Sequence, residues 1–104
     1  MIGDMFSKLN EARKKIEESK KRLNEITVSV SLGEDNDITV ISTANKSIKS
    51  IEISSVFYEE TGKEELEELI MAAVNKALNE AAAKGEMVMK DITKDLLPGF
   101  PGLV

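Results

Sequence analysis

Cysteine, histidine and tryptophan are all absent from the 104 residues. Without cysteine or histidine the chain cannot form a disulfide, a thiolate site, a His-ligated zinc or a Ser-His or Cys-His nucleophile pair. Aromatics are scarce, one Tyr and three Phe, so the core must be aliphatic. Long apolar runs are missing as well. Stretches such as Ile70–Val74 fall far short of the roughly 20 residues that span a bilayer, and no membrane partner is expected. The start "MIGDMFSKL" has no basic region ahead of an apolar run. Together with the missing cysteines, this points to the cytoplasm. There is no glycine-rich phosphate loop. The acidic clusters fall on expected solvent faces and turns, where a carboxylate pair finds no catalytic setting. The chain is therefore expected to be no enzyme and to need no cofactor and no metal.

What is present is a globular balance, 41% hydrophobic and 32% charged, expected to form one domain over residues 1–104. Net charge is −5, which argues against bulk attraction to nucleic acid or anionic lipid. The charge is uneven, however. Residues 1–26 hold seven Lys/Arg against five Asp/Glu, whereas residues 59–104 hold five against ten. An electrostatic function belongs at the N-terminal end.

Residues 1–26 place Ile2, Met5, Leu9, Ala12, Ile16, Ser19, Leu23 and Ile26 at alternating three- and four-residue steps. This is a heptad seam, narrower than an ordinary core-facing stripe, and it asks for a partner helix. Lys8, Arg13, Lys14, Lys15, Lys20, Lys21 and Arg22 flank the seam, interleaved with Glu11, Glu17, Glu18 and Glu25. The Glu11–Lys15, Glu17–Lys21 and Glu18–Arg22 spacings predict helical ion pairs. Residues 27–58 read as a sheet: "ITVSVSL", "ITVIST" and "IKSIEISSVF" alternate with period two. "GEDND" and "ANKS" separate them as turns. The first of these lacks the ligand spacing of a calcium loop, because its glycine comes first. Three closely linked strands make an antiparallel meander. Residues 61–96 read as a long helix. Thr61 and Glu64 are spaced as a capping box, and the apolar face is rich in alanine. The period continues past Gly85 and must stop before Pro98. The fold class is α+β, in the order α-β-β-β-α. One protomer offers too little surface to cover the seam, the alanine face and the apolar tail, so a homodimer is expected.

Element order, "IEIS" leading into an acidic stretch, "ELEELIMAAVNKALNEA" and the ending "LLPGFPGL" together resemble the YbaB/EbfC nucleoid-associated family. The resemblance spans nearly the whole chain and implies a tweezer-like homodimer whose first helices project as arms. It further implies low-specificity binding of double-stranded DNA and a place in the nucleoid. Residue by residue, it carries DNA contact onto Arg13, Lys14, Lys15, Lys20, Lys21 and Arg22. Such binding would be salt-sensitive. No aromatic is interleaved among these residues, so base reading is not expected. Family members often carry glycine where Ala44 stands. The alternative is a dimeric adaptor or chaperone that holds a protein partner through the arm seam or the apolar tail groove. Residues 97–104 hold Pro98 and Pro101, which bar helix and ladder pairing. They are expected to lie extended in a groove at or beside the dimer interface.

Overall fold

The computed structural model describes residues 2–96. The elements are α1 (Ile2–Leu23), β1 (Thr27–Leu32), β2 (Ile38–Thr43), β3 (Ile48–Ile53), α2 (Ser55–Glu60) and α3 (Lys63–Leu96). The α-β-β-β-α order and the antiparallel meander agree with the sequence patterning, with one short helix added. The expected docking of the tail lies outside the described residues.

The sheet runs β1-β2-β3. Val28, Val30 and Leu32 face Ser42, Val40 and Ile38 across the first pair. Ile38 and Val40 in turn face Ile53 and Ile51 across the second. Period-two alternation therefore collects these side chains on one face. Between β2 and β3 the register slips: Ile41 faces Ser50, but Ser42 faces Ile48. Lys49 is the extra residue of a bulge, and the slip brings Ile48 onto the same face as Ile51. The other face carries Thr27, Ser29 and Ser31 in the open, with the Ser31 and Thr39 hydroxyls 2.9 Å apart.

The β1–β2 turn uses Gly33 at φ 96° and Asn36 at φ 55°. A Cβ at Gly33 would strike the Asp37 side chain, so both conformation and space demand glycine there.

Three sequence expectations are corrected. The third strand does not reach Phe57 and the sheet does not extend to residue 58. Ser54 ends the strand because its hydroxyl accepts from the Phe57 N–H at 3.2 Å, capping α2. A serine competes this way for nearby backbone donors. Phe57 then packs on the core from a helix instead of a strand. Thr61 does not cap α3: the first helical bond runs from Leu66 N–H to the Gly62 carbonyl at 3.0 Å, so Gly62 holds the cap position. The arm helix closes at Leu23 and not at Ile26, through Asn24 N–H to the Lys21 carbonyl at 3.1 Å and Glu25 N–H to the Arg22 carbonyl at 2.9 Å.

Val30, Ile38, Val40, Ala73 and Ala77 form the buried core, flanked by Leu32, Ile53, Phe57, Leu66, Leu69, Ile70 and Val74. Ala73, Ala77, Ala81 and Gly85 recur every fourth residue and are all buried. This small-residue row lets α3 lie close on β1 and β2. It does not cover β3: Ile51 is 44% exposed although it faces fully buried Val40. Enlarging the row should lift the helix from the sheet. Ala77→Leu is expected to cost about 1–3 kcal/mol in urea unfolding, while Ala83→Leu, on the exposed side, stays within about 0.5 kcal/mol.

Candidate nucleic-acid interface

Twenty-two helical residues make α1 about 33 Å long. Its seam is progressively uncovered away from the sheet. Leu23 at the root is 5% exposed, Ser19, Ile16 and Ala12 are half-buried, and Leu9 and Met5 are 55% and 67% exposed. α1 touches α3, and at its root Leu23 shares a cleft with Ala82, Gly85, Glu86 and Met89. The molecule is correspondingly elongated, 69 × 22 × 18 Å. Its radius of gyration is 19.4 Å, against about 13 Å for a compact chain of this length.

Arg13, Lys14, Lys15, Lys20, Lys21 and Arg22 are all exposed on this arm, as is Lys8. They do not form one patch. At about 100° per residue, Lys8, Lys15 and Arg22 fall in one row and Arg13 with Lys20 in a second. These two rows flank the seam on opposite sides. Lys14 and Lys21 form a third row that points directly away from it.

The ion pairs expected from the sequence are not formed. Among the described residues the one such contact is Lys63 Nζ to Glu67 Oε1 at 3.5 Å, on an exposed part of α3. Four-residue spacing permits a pair, but ordering two long solvated side chains costs as much as the pair returns. The arm cations thus keep their charge available to a ligand.

Further cations were hidden by the segment sums. Lys46 in the β2–β3 turn and Lys84, Lys90 and Lys94 in the outer half of α3 are exposed. Residues 59–80 hold two cations against seven carboxylates, whereas residues 81–96 hold three against three. The acidic excess of the C-terminal segment therefore lies wholly at the end away from the arm. Counting charge in shorter windows would have shown it.

At that acidic end Glu34, Asp37, Glu65 and Glu68 rim an open cleft of about 350 Å³ floored by Phe57 and Leu69. No three Asp or Glu side chains converge closely enough for a metal ion among the described residues. Among the same residues, no helix is long and apolar enough to cross a membrane.

The sequence matches the YbaB/EbfC DNA-binding family over residues 1–96. Similar proteins include a nucleoid-associated protein of Flavobacterium johnsoniae, 31% identical over 95% of this chain and 91% of the relative. Another, from Acetivibrio thermocellus, is 36% identical over 98% of this chain and 88% of the relative. A third, from Myxococcus xanthus, is 34% identical over 82% and 77%.

Because the arm carboxylates hold no partner, their charge should be dispensable for folding. Replacing Glu11, Glu17 and Glu18 together with Gln is expected to change stability by less than about 1 kcal/mol, read from thermal melts at low and high salt. A larger, salt-sensitive loss would show that the pairs do hold the helix.

Proposed function

Since the chain belongs to the YbaB/EbfC DNA-binding family, we propose that it is a cytoplasmic nucleoid-associated protein that binds duplex DNA as a homodimer through its α1 arms. The observation that carries this reading is the set of exposed, unpaired cations on a helix that stands clear of the acidic body. Lysine and arginine in this setting neutralise phosphates and release counterions, which requires no particular base sequence. The arm rows hold ammonium and guanidinium groups on long stems, suited to phosphate oxygens, and no aromatic or amide is interleaved among residues 13–22.

Dimerisation is supported by the apolar surface left wet. Ile48 and Ile51 lie on the helix-side face of β3, yet both remain exposed. Met5 and Leu9 extend the arm seam in the same condition. A second copy that covers β3 would also bring a second arm to the same duplex. The arms are individually weak, because glutamates lie in the rows between the basic ones, so useful affinity depends on both engaging together.

A mobility shift on a random-sequence duplex at several salt concentrations tests the proposal. The logarithm of affinity should fall with the logarithm of salt, by roughly 0.9 per phosphate neutralised. Changing Lys14, Lys15, Lys20, Lys21 and Arg22 together to Ser should abolish the shift while sedimentation still shows a dimer. If binding survives those five changes, α1 is not the interface. A duplex-blind wild type would instead favour the exposed Met5, Phe6 and Leu9 as a surface for holding a protein.

A further inference from the structure

One helix, α3, serves two neighbourhoods. Ala73, Ala77 and Ala81 lie buried in the body, and around Gly85 the helix meets the root of α1, where Ala82, Gly85, Glu86 and Met89 share a cleft with Leu23. Gly85 sits at the changeover and is itself buried. A Cβ there would stand 2.8 Å from the Ala44 carbonyl oxygen, closer than real Cβ atoms come to backbone. Ala44 and Asn45 open the β2–β3 turn, and this same turn grips the root of α1. The Ala44 N–H donates to the Ile26 carbonyl at 2.8 Å, and the Asn45 side-chain amide donates to Asn24 Oδ1 at 3.1 Å.

The turn has little freedom to yield. The Thr43 N–H donates to the Ser47 carbonyl at 2.8 Å, the Lys46 N–H to the Thr43 carbonyl at 3.0 Å and the Ser47 N–H to Thr43 Oγ1 at 3.2 Å, with Lys46 held at φ 63°. Beside it, between Leu23, Lys46, Ala82 and Met89, lies an open cleft of about 250 Å³. Side-chain packing does not fill this side of the arm root. Its direction rests on the Ala44–Ile26 backbone bond, on the close approach of Gly85 to the Ala44 carbonyl and on the Asn45–Asn24 side-chain bond.

We propose that Gly85 and the Asn24–Asn45 pair are positioning residues that set the angle at which the arm leaves the body, and with it the presentation of the α1 cations to a duplex. The proposal rests on the reading of α1 as a DNA-binding arm. A side chain at position 85 acts as a wedge against a stiff turn, and the displacement grows along the arm. Loss of the Asn45 amide frees the root without changing any charge.

The chain has no cysteine, so Asn10→Cys on α1 and Ser29→Cys on β1, both at exposed positions, give a unique spin-label pair in the full-length protein. Diluting labelled protein with unlabelled protein isolates the intrachain distance. The expected result is a mean distance that shifts progressively in Gly85→Ala and Gly85→Leu, and a broadened distribution in Asn45→Ala. On the random duplex, Gly85→Leu should lose at least about tenfold in affinity, as when one of two linked contacts is lost, with sedimentation and helicity unchanged. Should Gly85→Leu fail to fold, Gly85→Ala and Asn45→Ala carry the same test. Unmoved distances, or moved distances with unchanged affinity, would overturn the proposal. The distances are read without DNA. A wild type that ignores duplex therefore sinks the arm reading itself, and a binding wild type with unmoved distances sinks only the positioning role.

Discussion

The close seating of α3 on the sheet governs the shape of everything else. A strand of six residues is about 20 Å long and three strands span roughly 14 Å, whereas 34 helical residues run about 51 Å. The helix cannot be buried along its length by so small a sheet. Its alanine row packs the inner half closely over β1 and β2, leaving β3 open on one side and the outer half projecting beyond the sheet. The projecting half needs company, and α1 is the only other long element among those described. The arm is thus the geometric remainder of pairing a long helix with a short meander.

That geometry also resolves the conflict between an acidic chain and an anionic ligand. Net charge is −5, but a charge is felt in solution only within a Debye length, about 8 Å at physiological ionic strength. The acidic residues of α2 and the start of α3 belong to the body, and α1 reaches about 33 Å from its root. A duplex near the arm responds to the local surface there. Local balance, more than the total, decides what the arm can bind, and residues 81–96 contribute no net negative charge beside it.

Element order and most boundaries could be read from periodicity, because the seam of α1, the alternation of β1 and β2 and the alanine face of α3 each bury one side. The misreadings share a cause. Ile51, Ile53, Ser55 and Phe57 keep their alternation past the true end of β3, and only the Ser54 hydroxyl, a competing local acceptor, breaks it. Gly85 stands in the sequence only as a residue the helical period passes, and its role shows when Ala44, 41 positions earlier in the chain, is found against it. Four-residue spacing of Glu and Lys marks an opportunity for pairing and says nothing of its cost in side-chain entropy. The six candidate DNA contacts were legible as a cluster in sequence, but their division into three rows follows from helix geometry.

Those rows do not all carry the same burden. Lys20, Lys21 and Arg22 occupy the last turn of α1, where cations favour the negative end of the helix dipole. They stabilise the root that Leu23 anchors, whatever they contribute to phosphate binding. Arg13, Lys14 and Lys15 lie farther out, beside half-buried Ala12 and Ile16, where the helix dipole gives them no such role. On the proposed reading, replacing a cation at the root would weaken binding by loosening the arm as well as by losing a phosphate, whereas replacing one farther out would lose only a phosphate. The direction of the arm and the charge along it are physically separate contributions, and they meet at the three residues that close α1.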